Sequence, residues 1–343
     1  RYMQIQLIRT RASYGVQGPD RGRSNWWTPY HNWTAIIGGS MGMLALTIEG
    51  EVPGLDVYPA LWAAVSTTEK WLDEGFDPNG ASLEGNHYIQ FAYAYALPFM
   101  QALKARGGPD LFDSVKQEKA LDYMVGELVP SRPPMVLNAW SSSHHQGLRW
   151  DYVPLLLANE YNAPLGLWLW ENALQLPSLH PLTAFYYPVG MQPSDPLEAG
   201  VPLVQFYPRR GLVNIRTGWK PEDRMFSFSS GPFFPTTHGQ SDENSFHLYA
   251  AGEMLATEHT GRSTLAYRTE AHNAVLINNR GQAPSGGSRG VDGRLVRYGD
   301  HPAYTYLLGD AKSAYDQNTH GQQGIRVGRA DRHVLYVKAC NAS

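Results

Sequence analysis

Hydrophobic residues recur at helical spacing through the first half of the chain. Five runs have this spacing, at 34–49, 56–74, 87–105, 111–127 and 152–174. In the second run, for example, Leu61, Val65 and Leu72 share one helix face. Proline and glycine separate the runs, and no strand-like segment lies between them. The pattern therefore predicts stacked helical hairpins and not a doubly wound sheet.

The pattern changes near residue 185, where short alternating or β-rich runs begin. These predicted strands lie at 203–207, 212–217, 225–229, 246–257, 274–278, 294–298, 303–308 and 333–338. Their spacing is typical of antiparallel sheets. The sequence predicts an α+β multidomain protein, with a helical domain at 1–184 and an antiparallel β-sandwich at 185–343. The chain starts without methionine and ends directly after a strand-like run, so we expect the first domain to be truncated at its N-terminus and the second at its C-terminus.

Composition excludes several classes of protein. Only 17% of the 343 residues are charged and the formal net charge is -3, which argues against a protein that binds nucleic acid by bulk charge. Cys340 is the single cysteine, so an internal disulfide or a cysteine metal cluster is excluded. No apolar run reaches membrane-spanning length. The ten tryptophans suit stacking on sugar rings, with Trp26, Trp27, Trp140 and Trp150 as candidate platforms, but aromatic filling of a large core explains them equally well.

Polar clusters interrupt these runs, and in their order they resemble the motifs of the heparinase II/III-like polysaccharide lyases. The matching segments are 32–33 (NW) before a Gly-rich helix, 84–92 (EGNHYIQFA), 207–219 (YPRRGLVNIRTGW), 238–246 (HGQSDENSF), 252–256 (GEMLA) and 271–273 (AHN). The segment 84–92 resembles the family pattern E-G-x-x-Y-x-x-Y-G/A. The segment 207–219 resembles the family pattern F-P-x-x-G-x-x-x-x-R-x-G-W. The resemblance implies an incomplete (α/α) toroid of helical hairpins followed by the β-sandwich.

The resemblance also implies cleavage of a uronic-acid-containing polysaccharide by β-elimination, with unsaturated oligosaccharides as products. The C5 proton of a uronate is weakly acidic because its neighbour is an anionic carboxylate, so the reaction needs donors that neutralise that carboxylate, a base at C5 and an acid at the leaving oxygen. By the resemblance, Asn32 holds the carboxylate, Tyr88 is the general acid or acid/base, and His238 is the base or a second neutralising group. The implied substrate-binding residues are His31, His87, Trp27, Tyr267, His145 and Arg149.

Other roles stay open for Asn32, and Glu84 of the second matching segment also has a candidate role. Asn32 lies in an Asn-Trp-Thr glycosylation sequon, and it also has the character of a helix cap. Glu84 suits a scaffold or helix-start carboxylate better than a catalytic one.

The resemblance implies one structural divalent metal, zinc or calcium, held by Gln240, Glu258 and His272. Gln240 stands where the family has a histidine, and glutamine is a poor zinc ligand, so a weak or absent site is an alternative. Asp242 is interpreted as a turn-forming residue or one that supports the ligands.

The resemblance implies an acidic polysaccharide as partner and a secreted or periplasmic location. We also expect no organic cofactor, no nucleic-acid partner and no membrane insertion. A homodimer stays open.

Three alternative functions compete with a polysaccharide lyase. A glycoside hydrolase needs a carboxylate pair, for which Glu84 and Asp77 are present. A carbohydrate-binding protein keeps the aromatic residues without the chemistry. A serine hydrolase would use Ser40 in the G-x-S-x-G run at 38–42, which requires a preceding strand.

Overall fold

Helices dominate the first half of the computed structural model and antiparallel strands the second. The structure describes residues 28–138, 140, 147–174, 180–234, 238–259, 264–283, 291–316 and 324–338. The chain divides into two compact units. The first unit consists of residues 1–125, 147–195 and 235–237, and the second consists of residues 126–146, 196–234 and 238–343. The arrangement is that of an α+β protein, as predicted. Within the described residues, no helix has both the length and the apolar character needed to cross a membrane.

The helices follow the predicted runs closely. They are α1 (Asn32–Ile48), α2 (Tyr58–Glu74), α3 (Asn86–Ala105), α4 (Val115–Glu118), α5 (Ala120–Gly126), α6 (Tyr152–Tyr161), α7 (Pro164–Ala173), α8 (Pro181–Tyr186) and, among the strands, α9 (Lys312–Asp316). The run at 152–174 is two helices, because Asn162 takes the left-handed conformation that ends α6 and Pro164 opens α7. The run at 111–127 is likewise divided, into α4 and α5.

Glycines let α1 pack closely against its neighbours. A Cβ atom on Gly39 would lie 2.4 Å from the Tyr95 carbonyl oxygen of α3, and one on Gly42 would meet the Phe99 ring. Residues 39 and 42 of α1 thus face residues 95 and 99 of α3, so the two helices run parallel and their N-terminal ends lie on the same side. Ser40 is exposed in the middle of α1, not on a turn between a strand and a helix. The serine hydrolase alternative is therefore wrong, since the G-x-S-x-G run serves helix packing.

The described residues of the second unit form two antiparallel sheets. Their strands are β1 (Val204–Tyr207), β2 (Leu212–Arg216), β3 (Arg224–Ser229), β4 (Ser245–Ala250) and β5 (Glu253–Ala256) in one sheet, and β6 (Arg294–His301), β7 (Tyr304–Asp310) and β8 (Asp331–Val337) in the other. Each sheet follows chain order, and Val213 and Phe228 of the first share a hydrophobic core with Leu307 of the second.

Two predicted strands differ from the structure. The run at 246–257 is the β4–β5 hairpin, with Ala251 and Gly252 at positive φ in its turn. The strand predicted at 274–278 is wrong: Asn278 and Asn279 both have positive φ, and only an isolated bridge joins Ile277 to Arg280. A tight asparagine turn there replaces an extended strand.

A segment from the middle of the chain belongs to the second unit. Leu128 and Leu137 form an antiparallel bridge, and Val129 packs against Met225 of β3 and Tyr249 of β4. Asn138 and Trp140 follow this bridge, so the segment brings an amide and an indole to the first sheet.

Candidate functional site

The start of α1 presents the first predicted site residues. His31 caps the helix, and its Nδ1 accepts a hydrogen bond from the backbone N–H of Trp33 at 3.1 Å. The neutral imidazole therefore carries its proton on Nε2, so His31 is arranged as a donor through that atom. Asn32 is the first helical residue and not the cap. Its side chain is 2% exposed, which is incompatible with a glycan on its amide in this fold.

Glu84 holds Asn32 at two points. Its Oε2 accepts the Asn32 backbone N–H at 2.5 Å, and its Oε1 accepts the Asn32 Nδ2–H at 2.9 Å. The Nε2 atom of His31 lies 3.7 Å from Glu84 Oε1. All three side chains are buried. The carboxylate thus ties the start of α1 to the turn before α3, a contact between residues 52 apart in sequence that the sequence analysis did not predict.

Tyr88 lies on the first turn of α3, next to His87. Gly85 precedes this helix with φ at 102°, a conformation that side-chain-bearing residues rarely adopt, which explains the glycine in the Glu-Gly-x-x-Tyr pattern. Tyr88 is 7% exposed, and its ring meets that of His87 edge-on with centroids 5.0 Å apart. Asn86 donates from Nδ2 to the Met124 carbonyl oxygen at 3.2 Å and fixes the helix start. Because α1 and α3 run parallel, Asn32 and Tyr88 lie at neighbouring helix ends.

Of the remaining predicted binding residues, the structure describes Arg149 and Tyr267. Arg149 is exposed, and its backbone N–H donates to Gln90 Oε1 of α3 at 3.3 Å. Trp150 stacks on Phe91 with centroids 5.0 Å apart. Tyr267 is half-buried in the second unit. Trp27 and His145 lie outside the described residues.

The carboxylate pair proposed for a glycoside hydrolase finds no support. Asp77 is buried, and its Oδ1 accepts the backbone N–H of Asn79 at 2.9 Å within a turn. Glu84 is occupied in holding Asn32. Both carboxylates therefore have structural partners that account for their positions.

His238 and Gln240 belong to the second unit, where both are buried. A cluster of Asp242, Glu258 and His272 lies in the same unit, with one oxygen or nitrogen atom of each within 4.8 Å of the others. The structure therefore brings together two of the three predicted metal ligands, Glu258 and His272. It adds Asp242, which the sequence analysis assigned to a turn or a supporting role. Gln240 as a ligand stays a prediction.

The imidazole of His272 is oriented for a cation. Its Nε2 lies 2.9 Å from the Ala266 carbonyl oxygen, which only accepts, so Nε2 carries the proton. Its Nδ1 lies 3.0 Å from Glu258 Oε2, so a neutral ring would set two lone pairs against each other. A proton or a metal ion between them removes that repulsion. Two carboxylates and one imidazole are a donor set that divalent cations accept, and the Ala266 hydrogen bond is the kind that orients a histidine ligand.

The charges in this cluster depend on one another. Burial acts to raise the pKa of Glu258, but the charges and hydrogen bonds of His247 and His272 lower it to about 2. Burial acts to lower the pKa of His272, and the neighbouring carboxylates of Glu258 and Asp242 raise it to about 9. In the metal-free cluster, Glu258 is therefore an anion and His272 a cation at neutral pH.

Sequence reasoning missed His247, which lies beside the cluster. It is fully buried, with Nε2 3.3 Å from Glu258 Oε2 and Nδ1 2.5 Å from Asn138 Oδ1. Trp140 stacks on the His247 ring with centroids 4.0 Å apart and donates from Nε1 to Ser227 Oγ at 2.9 Å. Trp140 is 3% exposed, so its predicted role as a sugar platform is wrong. The alternation of inward- and outward-facing residues along β4 places His247 on the inward face. This alternation was the one signal in the sequence that could have identified His247.

Comparison with known proteins gives structural matches only. No protein-family profile matches the chain. No protein of curated function matches it either. Among solved structures, heparinase III matches with a TM-score of 0.66 and 13% identity over 97% of this chain and 48% of the other. The heparan sulfate lyase HepC from Pedobacter heparinus matches with a TM-score of 0.56 and 12% identity over 88% and 43%.

A further heparinase III gene product matches with a TM-score of 0.55 and 14% identity over 90% of this chain and 44% of that one. The chain thus spans less than half the length of these solved structures. The chain has the fold of the corresponding part of heparinase III and HepC, in agreement with the family that its motifs resemble.

Proposed function

We propose that this chain carries the reaction centre of a polysaccharide lyase that cleaves a uronic-acid-containing polysaccharide by β-elimination. The observation that carries the proposal is the Asn32 amide held by Glu84 at the start of α1, beside the helix start that bears Tyr88. The fold shared with heparinase III and HepC supports it. In finer detail, the helices belong to an incomplete (α/α) toroid and the sheets to a β-sandwich.

Each group has a role in the elimination. The Asn32 amide and the Nε2–H of His31 donate to the substrate carboxylate, which makes the C5 proton more acidic. A base removes that proton, the C5–H electrons form the C4–C5 double bond, and the bond from C4 to the leaving oxygen breaks. Tyr88 gives its proton to that oxygen, since an ordinary phenol with a pKa near 10 is protonated at neutral pH. His238 serves as the base or as a further neutralising donor.

Access is part of the proposal. Asn32 and Tyr88 are both nearly covered, so substrate binding must open a path to them. The substrate-binding roles of His87, Arg149, Tyr267, Trp27 and His145 remain proposals of the same kind. We also propose an acidic polysaccharide as partner and a secreted or periplasmic location.

The second unit has residues for one structural divalent cation. Asp242, Glu258 and His272 would hold it, and it would supply charge neutralisation among buried carboxylates, not chemistry on the sugar. Glu258 follows β5 and His272 lies 14 positions later, so a shared ion would fasten two segments of one unit. Oxygen-rich donors admit calcium, while the imidazole favours zinc.

A screen of uronate polymers tests the function. The full-length protein is incubated with heparan sulfate, on which HepC acts by its name, and with alginate, ulvan and glucuronan. A lyase generates a new far-ultraviolet absorbance from the unsaturated product, without consuming water. New reducing ends without that absorbance would identify a hydrolase, and binding without either product would identify a carbohydrate-binding protein. Both outcomes would overturn the proposal.

A further inference from the structure

The Glu84 carboxylate is the partner of both N–H groups that Asn32 presents at the start of α1. One oxygen accepts the backbone N–H and the other accepts the side-chain Nδ2–H. A carboxylate only accepts hydrogen bonds, so the nitrogen of the Asn32 amide must face Glu84. The opposite rotamer would place the amide oxygen against the negative charge. The orientation of the amide is therefore fixed by its partner.

The amide atoms that Glu84 leaves unused are those a substrate would meet. Nδ2 has two hydrogens, and Glu84 engages one of them. The Asn32 Oδ1 atom is buried and has no hydrogen-bond partner among the described residues. A buried amide with one end anchored and the other unpaired is costly for folding alone, because an unpaired buried acceptor loses its hydration without compensation. A bound ligand with a hydroxyl or other donor would satisfy it.

The position of Glu84 gives it a second effect. It precedes Gly85, whose φ of 102° turns the chain into α3, and Tyr88 follows on the first turn. Its negative charge also lies at the N-terminus of α1, where the helix dipole favours an anion. One carboxylate thus links the segment that carries the amide to the segment that carries the phenol.

We infer that Glu84 is a positioning residue that sets the orientation of the Asn32 amide toward the uronate carboxylate. This inference rests on the proposed lyase function and goes beyond it, since it gives Glu84 a part in turnover without contact to the sugar. Glu84→Gln is the sharpest change. The substitution preserves the shape of the side chain, but it places an amide N–H of the new glutamine against one of the two N–H groups of Asn32. The two donors repel each other, so the Asn32 amide is no longer held in one orientation.

A double-mutant cycle separates positioning from simple support. We expect Glu84→Gln to lower kcat by about 100-fold, the loss typical of removing one oriented donor, with KM nearly unchanged. If Glu84 acts through Asn32, Glu84→Gln causes no further loss when Asn32 is already alanine. A merely structural role would lower activity equally in both backgrounds. Glu69→Gln, an exposed carboxylate on α2, is the control and should match the wild type.

A second measurement does not need activity. In the wild-type protein, one Nδ2 proton of Asn32 should show a downfield NMR shift and slow exchange with solvent, because it donates to a buried carboxylate. Glu84→Gln should abolish both signatures, and Glu69→Gln should preserve them. If the wild type cleaves no uronate polymer while the signatures behave as expected, the lyase proposal fails and the positioning geometry stands. Additive losses in the cycle, or an unchanged Asn32 amide, overturn the inference while the lyase proposal survives.

Discussion

Arg216 shows how one buried cation holds an irregular segment. Its guanidinium donates to the carbonyl oxygens of Gly126 and Leu128, and its Cζ lies 4.5 Å from the centre of the Trp219 ring. Burial lowers the pKa of Arg216 to about 10, so it remains charged at neutral pH. The Arg-x-Gly-Trp pattern at 216–219 therefore has a structural reason: it fastens the central segment to the first sheet.

Removing this cation should weaken the second unit. Hydrogen bonds to charged groups contribute about 1.5–3 kcal/mol each, so we expect Arg216→Met to lower the free energy of unfolding by about 3 kcal/mol. Urea unfolding measures the change. Arg224→Met is the matched control, because Arg224 is exposed on β3 of the same sheet. Equal losses in the two variants would contradict the role given to Arg216.

The proposed metal site leads to a prediction that distinguishes Asp242 from Gln240 as a ligand. We expect the purified full-length protein to contain one divalent ion, and a chelator to lower its melting temperature. Asp242→Asn should reduce the bound metal, because it removes one of the carboxylates that converge on His272. Elemental analysis of Asp242→Asn and Gln240→Ala measures this directly. A loss confined to Gln240→Ala would restore the ligand set predicted from sequence.

Asp122 on α5 should make stability depend on pH. Burial raises the pKa of its carboxyl, and the charge of Lys119 partly offsets the effect. Because the pKa of this carboxyl is higher in the folded state than in the unfolded state, the folded state binds the proton more tightly. The free energy of unfolding therefore falls as the pH rises from the unfolded-state pKa through the folded-state pKa. Asp122→Asn should therefore melt higher than the wild type at neutral pH, and the difference should vanish below pH 3.8, the ordinary value of the group. Asp113→Asn, at an exposed position, is the control for the substitution itself.

At the scale of elements, the packing of α1 on α3 depends on Gly39. Alanine usually stabilises a helix by about 1 kcal/mol relative to glycine, but here its Cβ would lie 2.4 Å from the Tyr95 carbonyl oxygen. Overpacking of this kind costs about 1–3 kcal/mol, so Gly39→Ala should lower the melting temperature. Ser40→Ala, one position along on the exposed face, should leave stability and turnover unchanged. A higher melting temperature for Gly39→Ala would contradict this, because it would show that α1 and α3 can move apart without a loss of stability.

Periodicity predicted most elements because it reports burial directly. The runs for α1, α2 and α3 and for most strands agree with the structure to within a few residues. The strand at 274–278 failed, since two asparagines in left-handed conformations end the extended backbone. The sequence analysis made no separate prediction for the segment 126–138. Its position against the first sheet depends on contacts such as Arg216 with Leu128, 88 positions apart, and no local pattern records them.

At the scale of the whole molecule, the order of the motifs predicted the heparinase-like fold, although each motif alone is modest. The candidate site was only partly predictable. Asn32, Tyr88, Glu258 and His272 were found because their types and neighbours resemble a known family. The contact from Glu84 to Asn32 and the presence of Asp242 beside His272 arise from tertiary packing. The sequence therefore indicated which residues to propose as reacting groups, while the contacts that orient them were visible only in the structure.

The proposed reaction uses Tyr88 and His238, which yields a final prediction for the intact protein. Tyr88→Phe removes only a hydroxyl from the first unit, and His238→Ala removes an imidazole from the second. General acid or base groups contribute about 10²–10⁴-fold, so each variant should lose turnover by that factor and keep its far-ultraviolet circular dichroism. In the proposed mechanism the two groups serve a single elimination step, so the double variant should lose far less than the product of the two factors. Full multiplicative losses would indicate that the two residues act on separate steps, and unchanged turnover in either single variant would remove that residue from the mechanism.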